Sequence, residues 1–449
     1  MRRAHVGLTR LALGTLVCAL LGVAAGCGGA GEHARGNVTL HFWAMGSEGE
    51  TVQPLIADFE AENPGVHVEV QQVPWSAAHE KLLTCVVGHA TPDVSQLGNT
   101  WVAEFAALHA LEPLTTFLAH SQTVRDSVYF GGIWDTNVVE STPYGIPWYV
   151  DTRLLFYRTD ILRRAGYARM PDNWRDWHAC MVAVKTMLGP KHYALLLPSN
   201  EFEQPLLFGL QAGSPLLADH DTRGDFQGPE FRRAFAFYIS LYREGLAPGV
   251  SDQVIANLYQ EFEKGTFAMF ITGPWNIGEC RKRLPDSLQG SWTTAPLPGP
   301  DGPRNGYSSA GGSSLVVYRN SLHKDLAWKL VEFLSRPEQQ VRFYHLSGDL
   351  PARVESWRDT TFTNDPRVAA FGTQLQRVKP GPKIPEWNQI QNQFVVRAEP
   401  VVRGTVPADS ALAQLDADVF RILEKRRWLL SRTPPPSPTV APATGSSSQ

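Results

Sequence analysis

Val38, Leu40 and Phe42 alternate with polar neighbours, the two-residue period of a half-buried strand, and Trp43 to Glu50 reads as the loop above its carboxyl end. Val52, Leu55, Ile56 and Phe59 then recur at helical spacing, which predicts an amphipathic helix over Glu50–Glu62 that Asn63, Pro64 and Gly65 stop. Val66, Val68 and Val70 alternate with His67, Glu69 and Gln71 as a second strand. Another helix runs through Lys81 and Leu82, and Val94–Leu97 enters a third strand. A βαβαβ order requires right-handed crossovers and a mostly parallel sheet. Ligands of such sheets lie beyond the carboxyl ends of the strands, where Trp43–Glu48 and Gly98–Trp101 fall.

The stretch Thr142–Asp160 changes the pattern. Pro143, Gly145 and Pro147 predict a turn, Leu154–Tyr157 a short buried strand, and Asp160, Ile161 and Leu162 the first turn of a helix that Gly166 ends. Trp148, Tyr149 and Asp151 stand just before the buried strand, so large π-faces and a carboxylate meet at a junction, read here as a hinge between two lobes with the ligand beside it. Beyond it, Asn173–Met187 is helical, with Trp174 and Trp177 three apart on one inward face. Pro229–Glu244 is a longer helix with Ala234, Phe235, Tyr238 and Leu241 inward, and Val254–Lys264 another, stopped by Gly265. Thr266–Ile271 is an apolar strand with Gly273, Pro274 and Trp275 turning at its end. Pro296–Gly306, dense in Pro and Gly, predicts a second crossing between lobes, and Ser347–Pro351 a third. Ser313–Tyr318 returns as a strand. Leu326, Leu330, Val331 and Leu334 line the next helix, and Leu412, Leu415, Val419 and Ile422 the last long one.

A chain of 449 residues with 43% hydrophobic content suits two or three globular domains. A net charge of -3 lacks the basic face from which a nucleic-acid binder gains counterion release. Arg2, Arg3 and Arg10 precede an apolar run, Leu11–Ala25, that is short and broken by Gly, as in an export signal rather than a membrane span. Ala24, Ala25, Gly26 and Cys27 resemble a bacterial lipobox, with Ala24 where Leu is commoner. That resemblance implies a lipid on Cys27; an ordinary secretory signal is the alternative. With Cys18 and Cys27 set aside, Cys85, Cys180 and Cys280 show no CxxC or zinc spacing and are expected as buried thiols with one disulfide open to them. The tail from Thr433, rich in Pro, Ser, Thr and Ala, is expected to be disordered.

PYGIPWYVDTRLLFYRTD closely resembles the crossover segment of extracellular solute-binding proteins, the carbohydrate-binding subunits of ABC importers in the maltose-binding-protein-like family. FWAMGSEGE at 42–50, GNTW at 98–101, MFITGPW at 269–275, AGGSSLVV at 310–317 and PEW at 385–387 follow in that family's order. The resemblance implies an α/β protein with the two-lobed, type II periplasmic-binding-protein fold, each lobe a mostly parallel sheet flanked by helices, joined by multiple hinge crossings. It implies residues 1–27 as lipoprotein signal and lipobox, 28–36 as tether, 37–146 plus 304–346 as the N-terminal lobe, 147–303 plus 347–432 as the C-terminal lobe, and 433–449 as tail. A monomer held outside the cytoplasmic membrane by its N-terminal lipid is expected, with a permease as partner, no cofactor and no metal.

A pyranose has C–H groups on its faces and hydroxyls at its edge, so its site needs aromatic platforms and groups that take several hydrogen bonds. Trp43, Trp101, Trp148, Tyr149, Trp275 and Trp387 fall in loops expected to face the cleft, with Glu48, Asn99, Asp151, Ser313 and Glu386 beside them. Gly311 and Gly312 let backbone approach a ligand or form a tight turn. The resemblance ranks Trp275 first as a stacking platform. A secreted glycoside hydrolase would need two paired carboxylates flanking the bond; Glu48, Asp93, Asp151 and Glu386 are available for that, but nothing in the sequence pairs them. GxSxG, HExxH, P-loop and GxGxxG signatures are missing. A phosphorylated polyol such as glycerol 3-phosphate would call for converging Arg or Lys, so a neutral sugar is preferred.

Overall fold

The computed structural model describes residues 38–251 and 257–432. The expected signal, tether, Cys27 and tail lie outside the described residues, as do the first residues of the helix expected from Val254. Ten strands form two sheets: β1 Val38–Met45, β2 Val66–Val73, β3 Val94–Gly98, β4 Ile146–Asp151, β5 Leu154–Arg158, β6 Tyr193–Leu196, β7 Phe267–Thr272, β8 Trp292–Ala295, β9 Gly311–Val317 and β10 Leu350–Pro351. The first sheet has the order β10-β4-β9-β3-β1-β2 and the second β8-β5-β7-β6. The architecture is α/β and two-lobed, with helices packed on both sheets.

The βαβαβ start is parallel as the pattern requires, β1 pairing with β2 and β3. The strands that link the sheets run back on their neighbours: β9 is antiparallel to β3 and β4, and β5 is antiparallel to β7 and β8. Each sheet is therefore mixed. A chain that passes between two sheets and returns must reverse direction, and antiparallel pairing satisfies the backbone groups of both passages.

Sheet membership moves the expected crossings. β4 belongs entirely to the first sheet, so the changeover expected at residue 147 falls at Thr152 and Arg153 instead. The turn expected from Pro143, Gly145 and Pro147 gives way by Ile146 to strand Ile146–Asp151, which is extended because β9 and β10 offer ladders on both sides. The chain leaves the second sheet after Ala295 and rejoins the first at Gly311, so the second passage covers 296–310 and extends past the Pro296–Gly306 expected for it. The third follows β10 rather than ending at it, since Leu350 and Pro351 still pair with β4. By Thr294 and Leu297 the chain is bonded to helix Pro366–Leu375 through Arg367 and Gln374.

Helix Trp174–Leu188 begins where Asn173 caps the Asp176 N–H. Trp174 and Trp177 are buried, Trp174 stacked on Phe237 at 4.5 Å. Helix Pro229–Arg243 buries Ala234, Phe235, Tyr238 and Leu241. Gly166, Gly245 and Gly265 stop their helices at positive φ, where L side chains are strained. Cys85, Cys180 and Cys280 are all free thiols. Among the described residues, no helix is long and apolar enough to cross a membrane.

Candidate functional site

A cavity of about 710 Å³ opens where the carboxyl ends of β1, β2 and β3 face the crossings and the second sheet's loops. That is within the range of about 300–1,000 Å³ usual for small-molecule sites. Its first wall is built by turns that leave strands. β1 runs on to Met45, and Gly46, at φ +60, makes the turn; a Cβ there would meet both the Trp75 indole and the Glu48 carboxylate at 2.8 Å. Glycine thus lets Glu48 and Trp75 share this corner. Trp75 opens the helix after β2, 39% exposed, and its ring lies 5.8 Å from that of Trp101 at 59°. His79 backs Trp101 at 5.0 Å and bonds Glu104 at 2.7 Å.

Behind this wall is a polar network. Tyr149 Oη donates to Glu48 Oε1 at 2.7 Å and accepts from Gln96 Nε2 at 2.8 Å. Gln96 Nε2 also reaches Ser313 Oγ at 3.1 Å, while its Oε1 takes the Met45 N–H at 2.7 Å. Buried Gln96 therefore fixes β1, β3, β4 and β9 relative to one another. Asn99 Oδ1 accepts from Ser314 Oγ at 3.1 Å, whereas its buried Nδ2 has no hydrogen-bond partner among the described residues.

The floor is formed by the crossings. Arg153 Nη1 bonds Asp151 Oδ1 at 2.5 Å, its Nε bonds Glu203 Oε2 at 2.6 Å, and its guanidinium lies 4.8 Å from the Trp275 ring centroid. Burial pushes the Asp151 carboxyl up to about 6; Arg153 opposes the shift and Glu203 adds to it. Asp349, beside the cavity, is pushed up to about 8 by burial and then by the Glu48 charge. Burial first, then the charges of Asp349 and Glu48, hold the Tyr149 phenol well above its ordinary range. Lys379, its ammonium 4.0 Å from the Tyr307 ring centroid, is depressed by burial.

On the far wall Trp275 is 45% exposed, and its ring overlies Gly273 so closely that any Cβ there would collide with it. Trp387 lines the cavity while almost fully buried, near Asn388, Gln391 and the apolar residues Leu206, Leu207, Leu210 and Leu216. Three carboxylates (Glu48, Asp151, Glu203) and the Asp349 carboxyl, which burial pushes up to about 8, face two cations (Arg153, Lys379), and Arg153 is already held by Asp151 and Glu203. Such a wall accepts hydrogen bonds and offers flat π-faces; it repels a phosphate. Among the described residues, no group of three or more His, Cys, Asp or Glu could hold a metal ion.

Of the residues picked from sequence, Glu48, Asn99, Trp101, Tyr149, Asp151, Trp275, Gly311, Gly312, Ser313 and Trp387 line this cavity. Trp43, Trp148 and Glu386 do not. Trp43 lies inside β1, not in a loop, and packs in the core under the Lys81 ammonium at 4.3 Å. Trp148 is 1% exposed and stacked on Phe343 at 4.4 Å, on the side of β4 covered by helix Pro337–Ser347. Glu386 precedes helix Trp387–Val402 without reaching the cavity. Asp93 serves the fold, accepting from His41 N–H and Ser321. Gly311 and Gly312 are needed by strand pairing: a Cβ on either would strike the carbonyl oxygens of Asp151 or Tyr149. Sequence reasoning missed Trp75, Arg153, Glu203, Asp349 and Lys379. Trp75 had a signal, since Val73, Pro74 and Trp75 sit at the carboxyl end of β2, where ligands bind.

The profile of the bacterial extracellular solute-binding proteins matches residues 44–341. The sugar-binding protein MalE of the phytopathogen Xanthomonas citri, a solved structure, is 50% identical, covers 88% of this chain and 100% of its own, and superposes with a TM-score of 0.86. An uncharacterized lipoprotein of Streptomyces antibioticus is 28% identical over 84% of this chain and 85% of itself. The diacetylchitobiose binding protein DasA of Streptomyces coelicolor is 24% identical over 86% of this chain and 92% of itself. Profile, fold and colinear motifs agree: the chain belongs to the bacterial extracellular solute-binding protein family.

Proposed function

We propose that this chain is the extracytoplasmic substrate-binding component of an ABC importer, taking a sugar or oligosaccharide into the cavity between its lobes and presenting it to a permease. The observation that carries this reading is the cavity wall: Trp75, Trp101 and Trp275 offer π-faces from both sides of the crossings, beside carboxylates with no guanidinium left free for an anion. The carbohydrate names of the Xanthomonas and Streptomyces coelicolor relatives support it.

The lobes proposed are residues 38–151 with 311–351, and 154–295 with 366–432, following sheet membership. A ligand that touches both walls stabilises the closed arrangement by its difference in affinity for the two. Micromolar binding amounts to about 8 kcal/mol. Stacking contributes on the order of 1 kcal/mol per ring beyond area burial. Hydrogen bonds from both walls supply the rest, and Asn99 Nδ2, buried without a partner, is one donor for them. The function is binding without catalysis.

A lipid on Cys27 would hold the protein at the outer face of the cytoplasmic membrane; the Ala24–Cys27 motif and the Streptomyces antibioticus lipoprotein support this. Two experiments test the proposal. Calorimetry against a panel of mono- and oligosaccharides is expected to find a micromolar ligand that also raises Tm by mass action; a panel with no binder, or hydrolysis of a chromogenic glycoside, overturns the reading. Cys27→Ser is expected to release the protein from membranes, and unchanged membrane retention refutes the anchor.

A further inference from the structure

Four chain segments meet at one side chain in the cavity floor. Asp151 ends β4 in the first sheet, Glu203 opens helix Glu203–Ala212, Trp275 follows β7 of the second sheet, and Ser308–Ser309 belongs to the second crossing. Arg153, in the first crossing, touches or joins all of them. Its guanidinium bridges Asp151 at 2.5 Å and Glu203 at 2.6 Å, and lies over the Trp275 ring at 4.8 Å. Glu203 Oε1 accepts from Ser309 Oγ at 2.6 Å. The Ser308 hydroxyl brackets the Arg153 backbone, accepting its N–H at 2.9 Å and donating to its carbonyl at 2.8 Å.

We infer that Arg153 is a positioning residue for ligand capture: it fixes the plane of the Trp275 indole and carries changes in lobe orientation to it. The argument is geometric. Trp275 is half open to the cavity, and the sites that set its plane are Gly273 beneath one edge and the Arg153 guanidinium on the ring. A cation within about 6 Å of a ring centroid is held by the ring quadrupole. The cation itself cannot drift, because two carboxylates from different lobes engage separate nitrogens of its planar fork. A rotation that moves Asp151 relative to Glu203 must therefore turn the fork, and the indole with it. A lysine at 153 keeps the charge but has no planar fork to hold two carboxylates through separate nitrogens while lying over a ring, so it keeps only part of the function.

This inference rests on the proposed carbohydrate site, and the test separates the two. Sugar affinity is measured by calorimetry for wild type, Arg153→Met, Arg153→Lys, Trp275→Ala and the Arg153→Met/Trp275→Ala double variant. Ligand-free protein labelled with 5-fluorotryptophan is examined in parallel by ¹⁹F NMR, with Trp275→Phe assigning the resonance. The expected results are an affinity loss of about tenfold for Arg153→Met, a smaller loss for Arg153→Lys, and about twofold or less when Arg153→Met is added to Trp275→Ala, the non-additivity of residues that act through one another. The Trp275 resonance is expected to move in both Arg153 variants. Wild-type affinity in Arg153→Met, equal losses with and without the indole, or an unmoved resonance overturns the inference. Should Arg153→Met fail to fold, Arg153→Lys alone and combined with Trp275→Ala decides it in the same way. A wild-type chain that binds no sugar sinks the proposed function instead, and the ligand-free resonance still reports on Arg153.

Discussion

Trp275→Ala removes the most exposed indole of the cavity wall, and its cost can be worked from the structure. A tryptophan buries on the order of 200 Å² when covered. With 45% of it accessible, roughly 90 Å² remains for a ligand to cover. A sugar lying on one face covers about half of that, which at about 25 cal/mol per Å² contributes about 1 kcal/mol. The stacking contact adds about 1 kcal/mol. The loss is then about 2 kcal/mol, or about 30-fold in Kd. The fold should hardly notice. Trp275 is the first residue of helix Trp275–Arg283 and stands outside the buried core, so its truncation costs about 0.5 kcal/mol or less and moves Tm by no more than about 2 °C. Calorimetric titration with the best sugar of the panel, beside a thermal melt, gives both numbers. A Kd within threefold of wild type, or affinity lost together with Tm, would refute the assignment of Trp275 as a stacking platform.

The remaining predictions concern protonation, backbone and thiols. Asp349 titrates near 8 in the folded chain against about 4 unfolded. Between those values the unfolded chain has released a proton that the folded one keeps, so this group's contribution to stability is full below about pH 4 and is lost as pH rises through 8. Asp349→Asn is therefore expected to raise Tm at pH 8.5 and to leave it unchanged near pH 4; calorimetry that finds equal shifts at both pH values contradicts this. Gly312→Ala, at φ +131 and against the Tyr149 carbonyl, should cost about 2–4 kcal/mol in urea unfolding, and a cost under about 0.5 kcal/mol would show that the pairing of β9 with β4 relaxes freely. Cys180 and Cys280 are fully buried, their thiols pushed up to about 12, so iodoacetamide at pH 8 should label half-buried Cys85 first; rapid labelling of either buried thiol in native protein argues against that packing.

Local pattern predicted local structure well. The βαβαβ start, the inward faces of the helices at 174–188 and 229–243, and the glycine stops at 166, 245 and 265 follow from spacing alone. What spacing could not show was which face of a strand another element covers. Trp148 and Tyr149 are neighbours on β4, but Phe343, nearly two hundred residues away, stacks on the first, while the second reaches Glu48. The same limit hid the burial of Trp43, since the strand continues past the point where its alternation breaks. Arg153, Glu203 and Asp349 carried no motif: their roles come from ion pairs and close approaches between residues far apart in sequence. The mixed pairing of both sheets is likewise a property of how the chain returns, which a residue-by-residue reading leaves open.

The two glycines of β9 divide the labour of the molecule. Backbone there presses directly on backbone of β4, with no room for even a methyl group, so this strand pairing beside the crossings tolerates almost no substitution. The cavity walls, by contrast, come from the ends of separate strands and helices, and Trp75 and Trp275 stand exposed there. Under the proposed function, such a chain can change its ligand at exposed wall residues while keeping this strand pairing unchanged. A designer retargeting the protein should mutate the loop ends and leave residues 149–153 and 308–313 alone.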